Sequence, residues 1–372
     1  MPSIEKVFFQ EPIHPDPTYA SRTEGRLKWL SRSTHPLAVD MRRFLNFNLN
    51  CLDKNFANEI HGRLLADGQH WRSAFFEMVV ARTLQSLDGA LTYAPQAGNS
   101  HPDFGVCIGG QNLVVEATAP IFRKDIQDEM GQQEYLKKIL EPEVPAGWTV
   151  LIQTLPDLGP QDSKKEFKEA VKRIFEGVGP PSELGEEKDL RTAVGDGWLE
   201  LALLSVEAKN VRIAGGPGVS WVGDGVERIR KTVKKKRCQV RDVDCPVLLA
   251  VNVSEVFSGF EDFDRALLGH QHSVYDVEAD CIAEERFVAD GVFDPAGDEE
   301  PTIAGVLAYV EAGFLCAFEP VLYVHPRHRA SFPQSFERLE RRSYDPMAGI
   351  VRTSAHGAPV LASLKPVQRS SL

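Results

Sequence analysis

Residues 101–120 read HPDFGVCIGGQNLVVEATAP: a Pro-Asp step, a Gly109-Gly110 pair, and an apolar run interrupted by a single glutamate, Glu116. An ionised carboxylate taken out of water without a partner or a metal is expensive, so a glutamate among valines needs a physical reason. Paired glycines supply the positive φ angles of a two-residue hairpin loop. Pairing then runs from Ile108 with Gln111 outward to Asp103 with Glu116. A four-residue loop over 109–112 would instead pair Asp103 with Thr118 and Gly105 with Glu116. Strand alternation places Asp103, Glu116 and Thr118 on one face in either register. The other face carries Phe104, Val106, Ile108, Leu113, Val115 and Ala117, which suits a core. Like charges across a ladder repel, so the arrangement is not chosen for stability. A divalent cation resolves the conflict, because Mg²⁺ is commonly held by one or two carboxylates with waters and substrate phosphates. A splayed hairpin with both acids solvated is the plainer alternative.

Outward from this stretch the periodicities alternate. Helical spacing is found over 36–52 (Leu37, Met41, Phe44, Leu45, Leu49), over 55–66, and strongly over 71–87, where Glu77 shares a face with Val80, Ala81 and Leu84. A strand is expected over 89–93. Beyond the hairpin come a helix over 125–140, a strand over 149–154, a polar amphipathic helix over 163–176, a loop over 177–188 and a strand over 198–206. The glycine-rich loop 215–225 lacks the Gly-Lys-Ser/Thr ending of a P-loop. A basic helix over 226–240 leads to strands over 246–253, 303–310 and 320–325. The expected fold is α/β, with a mixed central β-sheet flanked by helices. Its expected organisation is an N-terminal arm and helices over 1–70, a core over 71–330 with a polar insert near 156–197, and a polar C-terminal tail over 331–372.

The 372 residues, 42% hydrophobic and 26% charged, are enough for one large or two modest globular domains. The opening MPSIEKVFFQEPIHPDP lacks the apolar run of a signal peptide, and no eighteen apolar residues run together, so a soluble cytoplasmic protein with no membrane partner is expected. Six scattered cysteines fit reduced, mostly buried thiols better than a disulfide framework or a zinc cage. The net charge of −11 hides an asymmetry. Residues 226–241 hold eight Lys or Arg and one Glu, a local +7, which leaves −18 on the rest of the chain. An anionic partner would meet this stretch.

Glu77 in AFFEMVVARTL, Pro102-Asp103 in HPDF and Glu116-Ala117-Thr118 in VVEAT together resemble the PD-(D/E)XK nuclease superfamily. RIRKTVKKKRCQV followed by CPVLLAVNV extends the likeness to a bacterial branch in which a lysine-bearing helix precedes a buried strand. The resemblance implies a restriction-endonuclease-like core with a helical N-terminal extension. It also implies metal-dependent hydrolysis of phosphodiester bonds, most of all in DNA. Asp103 and Glu116 would hold Mg²⁺ or Mn²⁺, and Glu77 would reach toward it. The departure is Thr118, where the family has lysine, so either the chemistry is lost or another lysine serves.

Lys236 is the candidate. The apolar stripe of the basic helix runs Val226, Ile229, Val233, Val240, and position 236 completes it. A lysine on such a stripe ordinarily snorkels or pairs, and pairing with the Asp103/Glu116 cluster satisfies both readings. Arg228, Arg230, Lys231, Lys234 and Lys235 would then guide a phosphate backbone. The rival reading is a nuclease-like module without catalysis that binds nucleic acid or a protein partner; beside nucleic acid, a protein partner or a homodimer stays open on either reading.

Overall fold

The computed structural model describes residues 6–13, 16–17, 26–66, 69–97, 101–118, 135–156, 163–195, 197–206, 225–241, 243–254, 259–276, 281–293, 295, 301–312, 315–316, 319–328, 332–346 and 348–364. Along the chain run α1 (Arg26–Arg32), α2 (Pro36–Asn50), α3 (Lys54–Leu64), α4 (Gln69–Ser86), β1 (Ala90–Tyr93), β2 (Phe104–Ile108), β3 (Gln111–Thr118), β4 (Thr149–Thr154), α5 (Ser163–Phe175), β5 (Glu187–Val194), β6 (Gly197–Leu204), α6 (Gly225–Gln239), β7 (Val247–Ser254), β8 (His270–Asp276), β9 (Cys281–Val288), β10 (Ile303–Ala312), β11 (Leu315–Cys316), β12 (Val321–Val324), β13 (Glu340–Asp345) and β14 (Gly349–Thr353). They divide into two units, one formed by 1–11, 36–120 and 221–372, the other by 12–35 and 121–220.

The first unit is built on a mixed sheet of order β1-β2-β3-β7-β10-β12-β13-β14, with β11 beside β10. Its centre is parallel, β3 with β7 and β7 with β10, and antiparallel pairs flank it on both sides. Strand β7, VLLAVNVS, reads as a nearly continuous apolar run because a central parallel strand is covered on both faces. One face carries Val114, Val247, Leu249 and Val251 against Ile229 and Val233 of α6. Each of those two fully buried side chains contributes about 1.5–3 kcal/mol by leaving water. The opposite face receives the N-terminal helices. Phe76 of α4 meets Tyr309 of β10 edge-on at 5.1 Å, Phe56 of α3 meets Phe104 at 5.7 Å, and Phe44 of α2 packs on Phe75 at 5.8 Å. Helices α2 and α3 are therefore part of this unit's core rather than an appendage to it.

The second unit has its own antiparallel sheet, β4-β6-β5. Val150, Ile152, Leu199, Leu201 and Leu203 from that sheet bury Phe167, Ala170, Val171 and Ile174 of α5. The amphipathic pattern expected over 163–176 thus has a physical partner, and the inserted segment is broader than 156–197. Of the helix expected over 125–140, residues 135–140 are described and helical. The glycine-rich loop lies outside the described residues except for Gly225, which opens α6.

Two further expectations change. The polar tail contains β13 and β14, which complete the main sheet, and Asn48 of α2 donates to the Leu364 carbonyl at 2.9 Å. Their sequences, ERRSYD and GIVRT, lie near a sheet edge where half-exposed polar residues hide the alternation. The thiols are less buried than composition suggests: Cys107 and Cys238 are exposed, and Cys51 and Cys245 half-buried. Among the described residues no helix is long and apolar enough to cross a membrane.

Candidate active site

Gly109 and Gly110 take φ of +55° and +80°, and the turn closes with Ile108 opposite Gln111 and Phe104 opposite Val115. The two-residue loop is the register adopted. Strand β2 begins at Phe104, opposite Val115, so Ala117 of β3 has no ladder partner on that edge. Asp103 supplies one: its Oδ2 accepts the Ala117 N–H at 2.7 Å, while its carbonyl accepts the Ala94 N–H at 2.9 Å. The Pro-Asp carboxylate is thereby folded against the strand that carries Glu116. On the other edge Glu116 lies in register with Leu249 and Thr118 with Val251, on the face covered by α6.

The basic helix delivers Lys236 to that face. Ile229, Val233 and Val240 are buried, and Lys236 sits on their stripe. Its Nζ donates to Glu116 Oε1 at 2.5 Å across 120 residues of sequence, with both side chains largely withdrawn from water. Thr118 follows Glu116 on the same face, half-buried.

Electrostatics mark Asp103 as the uncompensated member. Burial pushes its carboxyl up to about 7, the charges of Glu116 and Glu77 add to the rise, and the Ala117 N–H and Lys236 only partly oppose them. Glu77 belongs to this field but not to the contact. Arg63 of α3 grips it with a two-pronged fork, Nη1 to Oε2 and Nη2 to Oε1, both at 2.6 Å. That fork raises the guanidinium pKa further. Where Glu77 was expected to reach toward Asp103 and Glu116, both its oxygens accept from Arg63, and its charge acts on Asp103 without a direct contact among the described residues. Next to the fork, Tyr93 donates to Glu59 at 2.7 Å, and burial, that bond and the Glu77 charge raise its pKa. Sequence reading missed Arg63. It lies on a different helix from Glu77, and no periodicity within either helix signals a cross-helix fork.

The expected phosphate-binding residues divide. Lys231, Lys234 and Lys235 project into water from one face of α6. Arg230 instead donates to Asp290 Oδ2 and to the Arg265 carbonyl, both at 3.1 Å, and Arg228 is half-buried. These two arginines help seat the helix rather than stand free on its surface.

Among the described residues no group of three His, Cys, Asp or Glu side chains is placed to hold a metal ion. Two carboxylates are close at hand, and each has one oxygen, Asp103 Oδ1 and Glu116 Oε2, without a hydrogen-bond partner among the described residues. This donor set fits a hard cation that keeps several of its waters, as Mg²⁺ does, and not a fully protein-caged ion. Comparison of the chain with protein-family models, with curated proteins and with solved structures finds no match in any of the three.

Proposed function

We propose that the chain is a metal-dependent nuclease of the PD-(D/E)XK type, with a restriction-endonuclease-like core, that hydrolyses phosphodiester bonds, most of all in DNA. The observation that carries this reading is the Lys236–Glu116 contact beside Asp103. A helix bearing Glu77, a hairpin bearing Asp103 and Glu116, and a lysine helix followed by a buried strand occur in the order the resemblance implies. The half of the motif missing at Thr118 is supplied in space by Lys236.

Asp103 and Glu116 would hold Mg²⁺ or Mn²⁺, which when bound supplies an acidified water and offsets charge on the phosphate. Lys236 holds Glu116 in place and keeps an ammonium at the hairpin end, where developing negative charge is stabilised. Thr118 offers a hydroxyl that donates a hydrogen bond but no charge. Lys231, Lys234 and Lys235 attract the backbone of the substrate from the exposed face of the same helix.

One observation favours a second reading, a nuclease-like module that binds nucleic acid or a protein partner without cutting: the Arg63 fork leaves the site two carboxylates rather than three. Plasmid nicking with Mg²⁺ or Mn²⁺ separates the two. The enzyme reading expects nicking by the wild-type chain that is lost in Glu116→Gln and in Lys236→Met. DNA retention by a wild-type chain that never nicks selects the second.

A further inference from the structure

The inserted unit carries an open sheet edge. In the sheet β4-β6-β5, strand β5 pairs with β6 from Glu187 opposite Leu204 to Val194 opposite Gly197, and among the described residues no strand lies on its other side. Such an edge is a row of N–H and C=O groups ready to pair with another chain, and proteins commonly close it with a proline, a bulge or a projecting lysine. Strand β5 has neither a proline nor a break in its register with β6. Its lysine is turned back onto its own chain: Lys188 Nζ meets Glu186 Oε1 at 2.9 Å and lies 5.0 Å from the centre of the Trp148 ring. Asp189 and Arg191 are exposed and share the face opposite α5, where Arg191 lies 3.9 Å over the Trp198 ring and 2.9 Å from Glu200. Leu190 is on the α5 side, half-buried and packed on that unit's core.

We propose that β5 pairs antiparallel with β5 of a second copy of this chain, joining two three-stranded sheets across a two-fold axis at Leu190. Opposed residues of an antiparallel pair point to the same face, so the α5 faces of the two copies stay together only where odd-numbered residues oppose odd-numbered ones. Centring the pair on Asp189 sets that acid against itself, and centring it on Arg191 sets the guanidinium against itself. Centring it on Leu190 sets Asp189 of each copy against Arg191 of the other, joins Leu190 to its counterpart, and leaves Lys188 opposite Thr192 and Glu187 opposite Ala193. Opposite charges across a ladder stabilise and like charges repel, so charge selects this register. Arg191, already steadied by Glu200 and Trp198, loses little freedom in taking a second carboxylate. One strand pair is smaller than the roughly 1,200–2,000 Å² of a tight complex, so the dimer forms in the micromolar range. It belongs to the inserted unit and stands or falls independently of the nuclease reading.

The test is sedimentation equilibrium of the full chain over a micromolar concentration series. The wild type is expected to pass from monomer to dimer mass. Asp189→Arg sets arginine against arginine at both ends of the paired segment and is expected to weaken dimerisation about tenfold or more. Its circular dichroism should stay that of the wild type, because Asp189 is exposed. Arg191→Glu, which sets acid against acid, is expected to weaken dimerisation to the same extent. Mixing the two single variants puts opposite charges across the ladder at both positions and is expected to give a heterodimer near wild-type affinity, a rescue that mere damage to either chain would not produce. Asp189→Arg alone carries the test if Arg191→Glu, which loses Glu200 and Trp198, does not fold. A wild type that stays monomeric throughout the series overturns the proposal, as does a dimer that Asp189→Arg leaves intact. Two folded variants that fail to pair with each other overturn it as well.

Discussion

Two charge clusters among the described residues of the first unit are built on opposite principles. Asp264 accepts from Arg342 Nη1 at 2.8 and 2.9 Å, from Arg352 at 2.9 Å and from the Tyr323 hydroxyl at 2.8 Å. Arg342 also donates to Glu340 at 2.7 Å. Acid and base are matched, every charge has a direct partner, and the result ties the turn at Asp264–Leu268 to β12, β13 and β14. At the hairpin end the balance is broken. Among the described residues Asp103, Glu116 and Glu77 face two cations, Lys236 and Arg63, and Asp103 accepts from a backbone N–H. A chain that can close one cluster so completely has no stability reason to leave the other short of positive charge. Such a departure from local consistency is characteristic of functional sites.

The largest expected effect comes from breaking the matched cluster. Asp264→Ala leaves the buried Arg342 guanidinium and the Tyr323 hydroxyl without their carboxylate, and should cost about 3–5 kcal/mol. Lys236→Met breaks a pair that keeps more exposure, 19% and 14% of the two side chains against 8% and 7% for Arg342 and Asp264, and should cost about 1–2 kcal/mol. Urea denaturation of both variants measures the difference directly. Equal losses would mean that the two clusters are both structural, and the contrast drawn between them would fail.

That contrast was half-legible in the sequence. The two-glycine turn, the common face of Glu116 and Thr118, and the lysine on the apolar stripe of α6 are all local periodicities, and local periodicity fixes which side of a strand or helix a residue occupies; Asp103 lies past the end of the ladder and meets β3 through the Ala117 N–H instead. That Lys236 would be the lysine to meet the Asp103/Glu116 cluster followed from its place on the buried stripe, whereas its choice of Glu116 did not. The Asp264 cluster was illegible by the same logic. Its members come from a short helical turn and from strands in a segment whose polar, half-exposed residues read as tail. Arg63 was hidden for a related reason, since its role depends on how α3 packs on α4. Strand β5, EKDLRTAV, went unread because an edge strand with mostly exposed side chains carries no apolar alternation.

A pH series sharpens the comparison at Asp103. Its carboxyl titrates near 7 in the folded chain against an ordinary value of 3.8. Below the ordinary value both states keep the proton and nothing is gained or lost. Between the two the unfolded chain releases its proton first, so stability falls as pH rises, and above 7 the full penalty applies. Asp103→Asn does not titrate and keeps an oxygen for the Ala117 N–H. It should match the wild type near pH 4 and exceed it at pH 8 by on the order of 4 kcal/mol, read as a thermal-melting difference. On the proposed reading, Mg²⁺ added at pH 8 narrows the gap, because only the wild type then gains a bound state. A constant difference across the series would show that Asp103 is neutralised by partners already present.

The smallest effect on the fold and the clearest on binding belong to the exposed face of α6. Lys231, Lys234 and Lys235 project into water while Arg230 is tied to Asp290. Replacing the three lysines with glutamine removes no buried contact, so stability should stay within about 0.5 kcal/mol of wild type. Each phosphate contact contributes about 0.9 to the slope of log affinity against log salt, so the triple variant should lower that slope by about 2 to 3 if these side chains track a duplex backbone. Arg230→Gln serves as the internal contrast, since it should destabilise the seat of the helix while leaving the salt slope nearly unchanged. A slope that responds to Arg230 and ignores the three lysines would place the phosphate path elsewhere on the chain.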